Sequence, residues 1–203
     1  MSSLSGGPAE KAGATYEALW GVRAMLEILH GKAERIRIEE PRVDGAEFWI
    51  ERDAGREYWQ VKRQLISQAN WTLKALASEG VLAFLLEQLR AGHRCVFASI
   101  TDAPELRTLA ERARDAANAA QKHEDGFGEF IEKFLLEKKW REQFEELRRH
   151  WGNTDEAETF SLLYGIEVRN SDDYTLRDSR AAEPRQPASF HRAASRQSDA
   201  YRE

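Results

Sequence analysis

Apolar residues along the chain change period several times, and the changes outline an α/β protein. Tyr16, Leu19, Trp20, Met25, Leu26 and Leu29 recur at helical spacing behind Thr15, a residue suited to an N-cap, and the stripe stops at Gly31. Ile36 and Ile38 then alternate with Arg35, Arg37 and Glu39, the two-residue repeat of a half-buried strand, which Pro41 ends. Two further alternating runs, residues 46–51 and 57–64, flank Asp53-Ala54-Gly55-Arg56, a short polar loop with glycine that predicts a β-hairpin. Helical spacing returns over residues 71–90, with Leu73, Leu76, Val81, Phe84, Leu85 and Leu89 on one side and Gly92 as its stop.

Residues 94–100 are nearly continuously apolar, which suits a strand buried on both faces. Residues 104–120 form a predicted helix opened by proline in its first turn, residues 127–150 one or two more, and residues 162–169 a last strand. Beyond Ser171 the only Leu, Ile or Val is Leu176, too little apolar surface to offset ordering entropy, so 171–203 is expected to be a disordered tail. The small, polar residues 1–13 read as a flexible lead-in, leaving one domain over 14–170. Leu176-Arg177-Asp178 looks like an interrupted continuation, which suggests the N-terminal portion of a longer chain.

Composition narrows the function. At 203 residues and 41% hydrophobic, the chain supports one substantial core. Its longest apolar run, residues 80–86, is cut by Glu87, short of the roughly 18 residues of a membrane span. With no secretion or transit pattern at the N-terminus, a soluble cytoplasmic protein is expected. Cys95 stands alone in an apolar strand, which excludes a disulfide framework and makes it a core residue. His30, His93, His123, His150 and His191 show no ligand spacing, Gly126-x-Gly128 lacks the context of a dinucleotide site, and no phosphate loop occurs. The net charge of −5 argues against bulk coating of nucleic acid, but not against an enzyme that holds a cation among carboxylates.

The chemistry-bearing stretch is the hairpin. In Tyr58-Trp59-Gln60-Val61-Lys62, Gln60 and Lys62 point to one face of the pleat while Trp59 and Val61 point to the other. An amide oxygen and an ammonium therefore stand side by side, and a carboxylate from the partner strand would complete a site for a hard cation. Asp44 is the candidate acid. A regular hairpin around residues 53–56 sets Glu47 opposite Lys62 and Trp49 opposite Gln60, which leaves Asp44 on the other pleat; either Gly45 turns Asp44 inward or Glu47 is the acid.

Asp44 followed by Gln60-x-Lys62 resembles the signature of the PD-(D/E)xK nucleases in its Gln-x-Lys variant, and is similar to the double-stranded-DNA endonuclease effector domains of bacterial anti-phage defence systems. The resemblance extends to the helix start at Gly13-Ala14-Thr15-Tyr16-Glu17, the strand end Phe97-Ala98-Ser99 and the closing segment 140–169, most of residues 13–170. It implies a restriction-endonuclease-like core: a central mixed sheet with a β-hairpin, flanked by helices, and a helical C-terminal half. It implies that Asp44 and Gln60 bind Mg²⁺ or Mn²⁺, that Lys62 is the catalytic lysine, and that Glu17 reaches the metal through water. Double-stranded DNA is the implied substrate, with oligomers bringing two sites to both strands and a sensor or NTPase region in a longer chain. Val43 replaces the signature proline and Gln60 the second acid, so metal binding is expected to be weaker.

The residues also allow plainer roles. Asp44, Gln60 and Lys62 could form a solvated strand face with a Glu47–Lys62 ion pair, in a non-catalytic interaction module of the same fold. Glu17 could simply favour the dipole of a helix start. Lys138, Lys139, Arg141, Arg148 and Arg149 alternate with glutamates as on a solvated helix face.

Overall fold

The computed structural model describes residues 8–38, 46–63, 69–119 and 127–178. One mixed five-stranded sheet organises them, in the order β1 (Arg35–Ile38), β2 (Phe48–Arg52), β3 (Gly55–Lys62), β4 (Arg94–Ser99), β5 (Ile166–Asn170). β1, β2 and β3 are antiparallel neighbours, whereas β3, β4 and β5 run parallel, so the carboxyl ends of the last three lie along one rim. Register sets Lys62, Ser99 and Asn170 in a row along it.

Alternation along the strands divides the core in two. Phe48, Ile50, Trp59, Val61, Val96 and Ala98 face helix α1 (Pro8–Leu29), burying Tyr16, Trp20 and Ala24. Trp49, Tyr58, Cys95 and Phe97 face the opposite layer: α2 (Leu73–Ser78), α3 (Val81–Arg90), α4 (Pro104–Ala119), a π-helical segment (Phe130–Phe134), α5 (Lys138–His150) and α6 (Glu156–Tyr164). Within the first layer Trp59 packs between Phe48 and Trp20, ring centroids 5.2 and 5.4 Å away. Arg52 ties this layer to the hairpin, reaching Glu27 of α1, the Lys32 carbonyl, and Glu57, which also accepts from the Trp59 indole.

The α/β class, the hairpin and the helices agree with the sequence pattern, and the sheet is mixed and flanked by helices as the resemblance implied; several boundaries differ. α1 starts at Pro8, so part of the lead-in expected to be flexible is helical, and Thr15 sits inside the helix with its hydroxyl bonded to the Lys11 carbonyl at 2.8 Å. The single helix expected over 71–90 is two, because Gly80 takes φ 74° and interrupts the ladder. Residues 162–164, expected to be extended, finish α6, which Asp155 caps through the Glu158 amide. Part of the expected tail is also ordered: α7 (Asp173–Arg177) is capped by Asp172 and buries Leu176 with Tyr16 and Trp20. Among the described residues no helix is long and apolar enough to cross a membrane.

Candidate active site

The hairpin turn is tighter than the loop composition suggested. Arg52 pairs with Gly55, leaving a two-residue connection, and the register runs Trp49 to Tyr58 and Phe48 to Trp59. The regular ladder ends at that pair: the Glu47 N–H bonds the Trp59 carbonyl at 3.0 Å instead of continuing the register, so Glu47 shares Trp59 with Phe48 as in a bulge and is not set opposite Lys62, which corrects the expected pairing. β2 ends there, and the Glu47 carboxylate takes the place of a backbone acceptor, receiving the Val61 N–H at 2.8 Å. This holds the carboxylate in the plane of the sheet, close to both layers.

Lys62, the last residue of β3, brings its ammonium to 3.9 Å from Glu47 Oε1, with side chains 31% and 18% exposed. Gln60 is buried two residues earlier, and its amide oxygen has no hydrogen-bond partner among the described residues. Such a group loses about 1–3 kcal/mol on folding unless something meets it. From the other side Glu17 of α1 joins Glu47, Phe48 and Ile38 in lining a groove of about 370 Å³. Burial pushes the Glu47 carboxyl up to about 7; Glu17 adds to the rise, while the Val61 amide and Lys62 oppose it.

Of the residues expected from the sequence, Gln60 and Lys62 share one face of β3, whereas Glu17 lies on the α1 side of the sheet, where it meets Glu47 and not Gln60 or Lys62. Asp44 lies outside the described residues. Glu47, the alternative acid, is the described carboxylate that contacts Lys62. The expected Glu47–Lys62 ion pair forms, but from a residue beyond the regular ladder, because the two-residue turn shifts the register. Cys95 is buried, and burial pushes its thiol up to about 12, as befits a core residue rather than a nucleophile. Among the described residues no three His, Cys, Asp or Glu side chains form a cluster able to hold a metal by themselves.

Two oxygen donors of the kind a hard divalent cation takes are present at this end of the hairpin, the mostly buried Glu47 carboxylate and the Gln60 amide oxygen without a partner among the described residues, while Glu17 shares the α1-side groove with Glu47 and not with Gln60. An ion that needs oxygen ligands would satisfy the Gln60 acceptor and favour the ionised form of Glu47. No protein family, curated protein or solved structure matches this chain.

Proposed function

We propose that the chain is a metal-dependent endonuclease that hydrolyses phosphodiester bonds of double-stranded DNA, working as the effector domain of an anti-phage defence system. The observation that carries the reading is the unpartnered Gln60 oxygen beside the Glu47–Lys62 pair, at the end of β3. Support also comes from the resemblance of Asp44 and Gln60-x-Lys62 to the nuclease signature, and from a mixed sheet whose hairpin carries Gln60 and Lys62.

Gln60 and Glu47 are the described residues that would hold Mg²⁺ or Mn²⁺, with Asp44 as the acid implied by the signature and Glu17 beside Glu47 on the α1 side. When bound, such an ion supplies Lewis-acid polarisation of a phosphoryl oxygen and lowers the pKa of a coordinated water. Lys62 places a positive charge where negative charge grows on the phosphate as the nucleophile adds. The Val61 N–H holds Glu47 in one rotamer, so its free oxygen stays aimed toward Lys62. An assembly of two or more copies would present one site to each DNA strand.

The test is digestion of plasmid DNA with Mg²⁺ or Mn²⁺, with and without chelator. Wild type is expected to linearise and degrade the plasmid, and Lys62→Ala to lose at least about 100-fold in rate while the fold is retained. Asp44→Ala and Glu47→Ala, measured side by side, assign the principal acid. Plasmid left intact under every metal condition refutes the reading.

One observation favours a second reading, a non-catalytic interaction module. The Glu47 carboxylate already caps the open end of β3 through Val61 and pairs with Lys62, so both side chains have a structural use. On that reading Lys62→Ala leaves function intact, and titration with Mn²⁺ detects no bound ion.

A further inference from the structure

The carboxyl-end rim continues past Lys62 into a second feature. β5 is an edge strand, and its outward side opens into a cleft of about 500 Å³ bordered by Trp20 and Arg23 of α1, Arg107 of α4, Arg169 and Asn170 of β5, and Thr175 of α7. Three arginines from three elements meet there on a chain whose net charge is −5. Among the described residues Glu167 is the one carboxylate in the lining, and Arg169 already engages it, with Nε 2.6 Å from Oε1. Although burial pushes the Glu167 carboxyl up, Arg169, Arg114 and Arg94 together hold it below the usual carboxylate range, so it stays an anion matched within the fold.

The arginines differ in what they have left to offer. Arg107 is fixed by Asp102 and by the Asn170 amide oxygen, both within 2.8 Å, while Arg169 bonds Glu167 through two of its nitrogens, stands 4.0 Å from Glu27 and lies over the Trp59 ring at 4.7 Å. Each guanidinium has more N–H groups than these contacts use. Arg23, one turn of α1 beyond Trp20 and half-buried, has no ion-pair or hydrogen-bond partner among the described residues.

The backbone adds donors. Cys95 N–H bonds the Gly165 carbonyl and Ser171 N–H bonds the Ser99 carbonyl, so odd-numbered residues of β5 turn their backbone groups inward, while Val168 and Asn170 turn both N–H and C=O toward the edge, where only the N–H groups and the guanidiniums suit an anion. Guanidinium groups set among outward N–H donors recognise phosphate oxygens, which only accept. Lys62, Ser99 and Asn170 stand in register, so at about 4.8 Å per strand the cleft begins roughly 10 Å from the catalytic lysine. A strand held at Lys62 passes the cleft within a few nucleotides.

Accordingly, we infer that the cleft along β5, with Arg23, Arg107 and Arg169, grips the phosphate backbone of the DNA strand beside the scissile bond. The inference rests on the nuclease reading and adds to it the path of the substrate. Arg23 is the arginine to change, since no described contact of the fold depends on it. Binding of a labelled DNA duplex is measured in chelator at several salt concentrations, and plasmid cleavage separately with Mg²⁺.

Arg23→Ala is expected to weaken duplex binding about 5- to 10-fold and to reduce the slope of log K against log salt by about 1, with Arg23→Glu weaker still and Arg23→Lys largely restored. In cleavage the loss appears in KM, with kcat within about twofold of wild type. Wild type that cuts plasmid while Arg23→Ala and Arg23→Glu bind duplex as tightly as wild type overturns the cleft alone. Duplex binding that depends on Arg23 in a protein that never cuts supports the cleft and overturns the nuclease. A wild type that binds no duplex overturns the cleft, and one that neither binds duplex nor cuts plasmid overturns both.

Discussion

Glu47 is the residue on which most of the local electrostatics turns. Its carboxyl is raised to about 7 because it is buried, and the unfolded chain returns it to about 4.5. Between those values the native state binds the proton more tightly, so its stabilising contribution is complete below about pH 4.5 and is lost as pH rises toward 7. The loss is on the order of 3 kcal/mol at about 1.4 kcal/mol per pH unit. Metal-free urea unfolding of wild type and Glu47→Gln at pH 4.5 and pH 8 is therefore expected to show wild type losing stability relative to the variant by that order. Equal pH dependence in the two proteins refutes the assignment. At pH 8, millimolar Mg²⁺ or Mn²⁺ is expected to raise the melting temperature of wild type, since ions that bind only the native state stabilise it, and to leave Glu47→Gln much less affected.

At the scale of elements, two connections carry more than their length suggests. Arg52, at the end of β2, supports Glu57, whose side chain is 5% exposed, and links the hairpin to Glu27 of α1. Arg52→Ala leaves Glu57 buried with its cation removed and is expected to cost about 3–5 kcal/mol. Arg52→Ala combined with Glu57→Gln is expected to recover a large part of that, as read from chemical denaturation of the four proteins in the cycle. The five residues of α7 are held chiefly by Leu176, buried against Tyr16 and Trp20, while the Tyr16 hydroxyl donates to the Ser171 carbonyl. Leu176→Ala is expected to cost about 2–4 kcal/mol if α7 belongs to the domain, and almost nothing if it does not.

For the whole molecule, the mixed sheet sets a gradient of stability. β3 and β4 each have two neighbours and are covered on both faces, whereas β1 and β5 are edges and the β1 residues are largely exposed. Hydrogen exchange is expected to find the slowest amides at residues 58–61 and 95–98, with residues 35–38 exchanging far sooner. Equal protection of β1 and β4 contradicts that arrangement.

Local pattern alone determined the α/β class, the hairpin, the buried β4 strand and the adjacency of Gln60 and Lys62, because two-residue and helical periodicity state which side chains share a face. What it left open depended on partners distant in sequence. Thr15 suits a helix start, but the helix extends back to Pro8; Leu176 looks stranded until α1 supplies its neighbours. The Glu47 register turned on whether the hairpin loop held two residues or four, a choice of backbone geometry that composition does not decide. Arg23, Arg107 and Arg169 carry no shared motif, and only the folding of α1, α4 and β5 around one sheet edge brings them together. Periodicity records which way a side chain points; what it meets there is decided by the packing of the whole chain.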